Sequence, residues 1–330
     1  MSTRWPCCRS LAHDRTMKSR VHPKYRTRCR VGNWWEYERA LVLRGDVTLW
    51  LSPDAIDAWR PAPSGRPGGQ QQFSDLAIET ALSLRLVFRL PLRQTEGILR
   101  LALALMCADL EAPDDTTLSR RSQGLSVGIH RVPANGPIHL IVDSTGLSVV
   151  GEDEWAAAKY GGRGQRGWKK LHLGVDQLGT IVAYALTDST VDDATTGVGL
   201  IQAVDDDIAR VTADAAYDTI AFYDAAGARG ATVVVPPDRT ARVSRRRPRS
   251  RARDRTVTAV KVIGRRRWKK ASGYYRQARV ENAIFRYKSI IGDRLRARRL
   301  RAQETESVIA CSILNRMTEL SRPASFATGS

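Results

Sequence analysis

The stretch Ile138-His139-Leu140-Ile141-Val142-Asp143-Ser144-Thr145-Gly146 is a run of mostly apolar residues that brings one carboxylate to its end. Branched side chains over this length predict a buried β-strand, and the small polar residues after Asp143 are typical of the point where a strand stops. An acid at a strand end is accessible to substrate, so Asp143 is a candidate catalytic residue. Asp also commonly begins a turn, and on this stretch alone the turn is the more frequent explanation.

Two further acids repeat this pattern. Asp214 ends the short run Val211-Thr212-Ala213 and precedes small residues, and Glu281 lies in a predicted helix among basic residues. Two strand-end carboxylates side by side, with a third from a nearby helix, would form an oxygen-rich pocket suited to one or two Mg²⁺ ions. Such ions can activate a water or a 3′-hydroxyl for attack on a phosphodiester. Taken singly, each acid is more often a turn residue or a helix-surface acid.

The composition indicates a basic globular protein. The chain has 330 residues, 42% of them hydrophobic, which allows one large domain or two ordinary ones. Its net charge of +19 and pI near 10.3 imply a polyanionic partner, most simply nucleic acid. An anionic membrane surface is the competing interpretation, but the sequence shows neither a lipidation motif nor an apolar run near the roughly 20 residues that cross a bilayer.

The five cysteines show no CxxC spacing, which indicates a reducing compartment and neither a disulfide framework nor a zinc site. We therefore expect a cytoplasmic protein associated with the nucleoid.

The pattern of charged, apolar and turn-forming residues divides the chain into regions. Residues 1–32 are basic and irregular and are expected to be a disordered arm, with Met17 as an alternative start. Residues 33–132 predict helices, the last of which opens near Asp114 and ends in Arg120 and Arg121. This arrangement is compatible with a helix-turn-helix unit that places both arginines near DNA. The alternative is an ordinary helical bundle with a solvated charge pair.

The pattern changes after Pro133. Predicted strands at 138–143, 170–175 and 180–186 are followed by helices that alternate with strands, at 195–203, 211–214, 219–226 and 231–236. This order indicates an α/β domain with a mixed sheet over 133–320, followed by a tail at 321–330.

Residues 237–273 form a basic insertion that includes Arg245-Arg246-Arg247 and the candidate DNA-binding residues Arg265, Arg266 and Arg267. Like charge at this density predicts a mobile arm until phosphates neutralise it. Trp268 within it could stack on a base or anchor the insertion to the core.

Several motifs have a family resemblance. They are Asn33-Trp34-Trp35-Glu36-Tyr37, Arg44-Gly45-Asp46, Phe88 to Gly97, Asp115 to Arg121, Val142 to Leu147, Trp168-Lys169-Lys170-Leu171-His172-Leu173 and Ala213-Asp214-Ala215-Ala216-Tyr217-Asp218. With them, residues 33–316 resemble insertion-sequence transposases of the IS-five group, in the DDE superfamily. The resemblance implies an RNase H-like core, a mixed sheet flanked by helices, with an N-terminal helical DNA-binding region. It also implies that Asp143, Asp214 and Glu281 are the catalytic, metal-binding triad.

The third acid lies in Tyr274-x2-Gln277-x3-Glu281-x6-Lys288, which is similar to the Y(2)R(3)E(6)K motif of that family. Gln277 stands where the family usually has Arg, so Arg276 or Arg279 is expected to supply the phosphate contact. Lys288 falls two helical turns after Glu281 and is expected to reach DNA. Lys169 and Lys170, on a basic strand edge, are weaker DNA-binding candidates.

The resemblance implies a DNA transposase. It would bind the terminal inverted repeats of its own element, cleave and transfer strands with Mg²⁺, for which Mn²⁺ can substitute, and act as a homodimer or higher assembly on double-stranded DNA. One alternative is a catalytically inactive DNA-binding remnant or repressor of the same family. Another is a tyrosine recombinase, which would need a nucleophilic Tyr, such as Tyr274, backed by an Arg-His-Arg cluster.

Overall fold

The computed structural model describes residues 29–62, 65, 70–150, 168–244 and 250–327. Arg245 to Arg247 and most of the predicted N-terminal arm lie outside these residues. The described helices are α1 (Trp34–Leu43), α2 (Val47–Trp50), α3 (Pro53–Asp57), α4 (Asp75–Val87), α5 (Leu92–Leu105), α6 (Asp115–Arg121), α7 (Asp193–Ala203), α8 (Ile220–Ala228), α9 (Arg251–Ile263), α10 (Arg265–Ala271), α11 (Ala278–Arg286) and α12 (Leu300–Leu320). The described strands are β1 (Cys29–Val31), β2 (Ile138–Val149), β3 (Trp168–Val175), β4 (Ile181–Asp188), β5 (Ile208–Thr212), β6 (Thr232–Val234), β7 (Arg294–Leu295) and β8 (Ser325–Ala327).

A six-stranded mixed sheet organises the chain after Pro133, in the order β4-β3-β2-β5-β6 with β7 paired to β2. Strands β2, β3 and β4 are antiparallel, whereas β5 runs parallel to β2 and β6 parallel to β5. The mixed α/β architecture predicted from the sequence is therefore confirmed. The short strands β1 and β8 form a separate antiparallel pair.

Strand β2 is longer than the sequence predicts. It continues through Ser144, Thr145 and Gly146 to Val149, so Asp143 lies inside the strand, opposite Leu173, and the prediction of a strand end there was wrong. The reason is that β3 pairs with β2 from Ile141 to Ser148, so the small polar residues remain in the antiparallel ladder. Parallel pairing with β5, by contrast, ends earlier, at Ile141 and Thr212.

Two hydrophobic clusters cover the two faces of the sheet. The first joins α4 and α5 of the helical region, one face of β2 and β3, and the long C-terminal helix α12, including Ile78, Ile141 and Ile309. The second packs α7 and α8 on the opposite face, including Leu140 and Phe222. The alternation of Leu140 and Ile141 between the clusters follows from the period of two in a strand.

Side-chain caps fix several helix starts that the sequence predicts. Ser74 accepts a hydrogen bond from the Ala77 N–H at 3.1 Å, and Asp114 accepts one from the Thr117 N–H at 2.6 Å. These caps satisfy backbone donors that the first turn of a helix leaves unpaired. Helices α4 and α6 therefore begin where their Ser and Asp residues predict.

From Arg251 to Ala271 the basic insertion, for which the sequence predicts a mobile arm, forms two helices. Ser250 caps α9, and Gly264, with φ of 81°, separates α9 from α10. Val257 and Trp268 are buried while most of the cations point outward, so like charges on these helices do not have to pack against each other. The burial of Trp268 favours an anchoring role over stacking on a base.

Helix α11 passes into a π-helical turn at Tyr287–Ile291, closed by a hydrogen bond from the Gly292 N–H to the Tyr287 carbonyl at 3.1 Å. The Arg89 side chain donates from Nε to the Ile290 carbonyl at 3.1 Å, which links this turn to the loop between α4 and α5. Arg89 itself has a positive φ of 54°. Over the part of the chain that the structure describes, no helix is both long and apolar enough to cross a membrane.

Candidate functional site

Asp143 is a half-buried carboxylate on the central strand of the sheet. Its Oδ1 accepts a hydrogen bond from the Ser144 N–H at 2.8 Å. Burial raises the pKa of Asp143 to about 6; the Ser144 N–H opposes this, and Asp214, Glu281 and Asp193 add to it. The Asp143 carboxylate therefore lies near other carboxylates and is partly shielded from water.

Asp214 follows β5 and caps the 3₁₀ turn Ala215–Tyr217, where its Oδ1 accepts a hydrogen bond from the Ala216 N–H at 2.9 Å. Burial raises the pKa of Asp214, the Ala216 N–H lowers it, and Asp193 raises it further. Strand β5 is parallel to β2 and directly beside it, and the last pair between them is Ile141 and Thr212. Asp143 and Asp214 each come two residues after this pair, so the two acids lie at the same end of neighbouring strands.

Glu281 is exposed in the first turn of α11, which packs on β2 and β3. Tyr274 shows that Glu281 lies near the other two acids, because all three act on the pKa of its hydroxyl. Burial raises the pKa of the Tyr274 hydroxyl to about 12, and Asp214, Glu281 and Asp143 all raise it further, while Arg265 opposes them. All three predicted acids therefore lie close enough to this half-buried phenol to act on it electrostatically.

Sequence reasoning missed two residues at this place, Asp193 and Tyr217. Asp193 opens α7, where an Asp192-Asp193 pair looks like ordinary helix capping, and it acts on the pKa of both Asp143 and Asp214. Tyr217 is buried; burial holds the pKa of its hydroxyl far above the usual range, and Asp193, Asp143 and Asp214 add to this effect. No sequence signal separates Asp193 from a cap.

The donor chemistry of this group fits Mg²⁺ or Mn²⁺. Carboxylate oxygens are the hard ligands that these ions prefer; burial is the main cause of the raised pKa of Asp143, and the neighbouring carboxylates Asp214, Glu281 and Asp193 add to it. Among the described residues, no group of three or more His, Cys, Asp or Glu side chains is arranged so that it could hold a metal ion.

Three of the predicted DNA-binding cations are engaged within the protein. Lys169 pairs with Asp188, Lys170 donates to Asp193 at 3.0 Å, and the Arg121 side chain donates to the Phe73 carbonyl at 2.9 Å and to Asp75. The Arg121 side chain is only 16% exposed. Local acids and carbonyls therefore compete with DNA for these three side chains, and their contact with DNA stays a prediction.

His172, beside Lys170 on β3, is fully buried and lies within hydrogen-bond distance of the Thr187 hydroxyl. Burial lowers its pKa, while Asp193 raises it and Lys170 lowers it. It is a structural histidine, which was one of the two interpretations open from the sequence.

The cations around the third acid differ from one another. Arg276 lies with Nη1 3.2 Å from Nδ1 of the buried His139, whereas Arg279 is exposed. Burial lowers the pKa of His139 to about 4, with Arg276, Arg210 and Arg279 adding to this, so the imidazole is neutral at pH 7. Gln277 is buried and donates from Nε2 to the Val142 carbonyl at 3.1 Å.

Other predicted cations remain open to a ligand. Arg120, Arg266 and Arg267 are exposed, and Lys288 is half-buried in the π-helical turn. Arg265, by contrast, donates to the Pro237 carbonyl. None of Arg120, Arg266, Arg267 and Lys288 forms an ion pair with a described acid.

Comparison with known proteins identifies a family for this chain. A model of the transposase DDE domain matches residues 134–316, and a second model with the same description matches residues 42–152. The solved structure of a piggyBac transposase synaptic complex with hairpin DNA is 10% identical, with 83% of this chain and 75% of that chain covered at a TM-score of 0.36. A score this low carries no argument about the fold.

Proposed function

Because the chain belongs to the transposase DDE domain family, we propose that it is a DNA transposase that binds the terminal inverted repeats of an insertion sequence and catalyses metal-dependent strand cleavage and strand transfer. The observation that supports this is the convergence of Asp143, Asp214 and Glu281 around Tyr274. The motifs around these acids favour the IS-five group within the family. The sheet order is consistent with an RNase H-like catalytic core.

In this proposal Asp143, Asp214 and Glu281 hold the metal. Mg²⁺, or Mn²⁺ in its place, would supply activation of a water or 3′-hydroxyl and stabilisation of the leaving oxygen. Asp143 and Asp214 are held in place by the Ser144 and Ala216 N–H groups.

The cations that remain open supply the DNA contacts of this proposal. Arg279 and Lys288 lie on the same segment as Glu281 and would bind the phosphates next to the reacting one. Arg120, Arg266 and Arg267 would bind further along the duplex, from the helical region and from the insertion. We propose a homodimer or larger assembly, because two element ends have to be joined to one target.

The test is cleavage of a duplex that carries an element end, in Mg²⁺ and in Mn²⁺. Replacement of Asp143, Asp214 or Glu281 by Ala is expected to abolish nicking and to leave end binding within about twofold. Asp224→Ala, at an exposed acid of α8, is the matched control and is expected to cleave normally. Cleavage retained in Asp143→Ala would overturn the assignment.

The inactive remnant is the second candidate, and Gln277 in place of the usual Arg is the observation that favours it. End binding by the wild-type protein without nicking in either metal would support this candidate. A tyrosine recombinase is less consistent with the site, because the raised pKa of Tyr274 makes its phenol a poor nucleophile.

A further inference from the structure

One buried hydrogen bond joins the segment of Glu281 to the strand of Asp143. Gln277 ends the 3₁₀ turn Tyr274–Gln277 just before α11, and its side chain is 3% exposed. Its Nε2 donates to the Val142 carbonyl at 3.1 Å across 135 positions of sequence. Val142 immediately precedes Asp143.

The Val142 carbonyl lies one residue beyond the last pair between β2 and β5. That pair is Ile141 and Thr212, after which the Ala213 N–H turns toward the Val234 carbonyl at 3.4 Å. The two strands separate here, and the opening leads to Asp143 and Asp214. The amide of Gln277 supplies a donor at the place where β5 no longer runs beside β2.

This contact restrains both ends of the acidic group. The Val142 carbonyl and the Asp143 N–H belong to one planar peptide unit, so a bond to the carbonyl orients the backbone that carries Asp143. Gln277 lies four residues before Glu281, in the 3₁₀ turn that leads directly into α11. The hydrogen bond therefore ties the segment that carries the third acid to the backbone that carries the first.

We propose that Gln277 is a positioning residue that holds Asp143 and Glu281 at the separation needed to share a divalent metal. The inference rests on the proposed transposase function and deepens it. Gln277 is too deeply buried to bind a phosphate, and its Oε1 has no hydrogen-bond partner among the described residues. The phosphate contact falls instead to the exposed Arg279.

The test compares Gln277→Met, which keeps the length of the side chain and removes the donor, with the wild-type protein. Mn²⁺ binding is measured by electron paramagnetic resonance on the protein bound to an element-end duplex, and cleavage is titrated with Mn²⁺ in parallel. Loss of a group that orients metal ligands typically weakens metal binding about 10–100-fold. We expect this loss in Gln277→Met, with end binding within about twofold of the wild type.

Gln202→Met, at an exposed Gln of α7, is the control and is expected to match the wild type. Gln277→Asn shortens the same amide and is expected to weaken Mn²⁺ binding by a smaller factor, which serves as the measurement if the Met variant does not fold. Unchanged Mn²⁺ binding in the Gln277 variants would overturn the proposal, as would weaker end binding with unchanged metal affinity.

Asp143→Asn separates this proposal from the function on which it rests. If the function is wrong, the wild type and Asp143→Asn bind Mn²⁺ equally. If only the role of Gln277 is wrong, Asp143→Asn loses Mn²⁺ while Gln277→Met retains it.

Discussion

Arg253 binds Asp218 through two hydrogen bonds, from Nε to Oδ1 at 2.8 Å and from Nη2 to Oδ2 at 2.9 Å. The Asp218 side chain is 1% exposed and also accepts the Asp238 N–H at 2.9 Å. Asp218 lies in the loop that begins at Asp214. The first helix of the basic insertion is therefore fixed to the loop that carries the second candidate acid.

Arg253→Met is expected to lower the free energy of unfolding by about 3–5 kcal/mol, because it leaves the Asp218 carboxylate buried without its partner. Chemical denaturation measures this change. Arg255→Met, two residues along α9 at an exposed position, is the control and is expected to stay within about 0.5 kcal/mol of the wild type. Equal effects at both positions would contradict the structural role of the pair.

Two glycines of α7 are expected to respond in opposite ways to substitution by Ala. A Cβ at Gly197 would lie 2.7 Å from Cε1 of Tyr217 and 2.8 Å from Cε2 of Phe222, whereas at Gly199 it would meet nothing within 4 Å. Gly197→Ala should destabilise the protein by about 1–3 kcal/mol through overpacking. Gly199→Ala should stabilise it by about 0.5–1 kcal/mol, because Gly is unfavourable within a helix.

Thermal and chemical unfolding test both substitutions. Since Tyr217 lies beside the acids, Gly197→Ala is also expected to slow cleavage, and Gly199→Ala is not. Stabilisation by Gly197→Ala would show that the two rings can move away from this position.

Asp143 is expected to make the folded protein less stable as pH rises. Its folded pKa of about 6 lies above the ordinary value of 3.8, so the folded state binds more protons than the unfolded state between these values. Stability from this group is full below about pH 4 and declines as pH rises through about 6. At about 1.4 kcal/mol per pKa unit, the total decline is up to about 3 kcal/mol.

Asp143→Asn removes the charge and still offers an oxygen to the Ser144 N–H. In EDTA at pH 7 it should raise the free energy of unfolding by up to about 3 kcal/mol relative to the wild type. At pH 4 the two proteins should be equally stable, which denaturation at both pH values measures. An equal difference at the two pH values would rule out ionisation of Asp143 as its cause.

The neighbours Arg120 and Arg121 should separate DNA binding from stability. Arg120 is exposed, so Arg120→Ala should weaken end binding and reduce the slope of affinity against salt by about 1 without affecting unfolding. Arg121→Ala loses the contacts to Phe73 and Asp75 and should cost about 1–3 kcal/mol of stability. Salt-dependent binding and denaturation on both variants provide the comparison.

Local pattern was sufficient to predict strands β2 to β6 and helices α7 and α8 with shifted ends, whereas the short strand β7 was missed. The apolar run before Asp143 does predict β2, because branched residues favour a buried strand. Its continuation to Val149 depends on β3, a partner distant in sequence that no local pattern specifies. The same limit explains the helices of the insertion, where burial of Val257 and Trp268 outweighs a charge pattern typical of a mobile arm.

At the candidate site, the motifs predict Asp143, Asp214 and Glu281 as the three acids in chain order, but they do not predict which groups the neighbouring polar and charged side chains contact. Lys170 looks free in sequence and is bound to Asp193 in the structure. Asp193 looks like a helix cap and also acts on the acids. Gln277 looks like a lost phosphate contact, yet it is buried against Val142. Each difference arises from tertiary contacts between segments far apart in the chain.

The π-helical turn at Tyr287–Ile291 has a consequence for how related sequences are aligned. A π turn contains one more residue than an α turn, so it is the structural form of a single-residue insertion. A relative one residue shorter here would end the same helix with an ordinary α turn, and the side chains between the deletion and the helix end would be rotated by about 100° about the helix axis. Such a relative would keep the Glu-to-Lys spacing only if its deletion fell after Lys288.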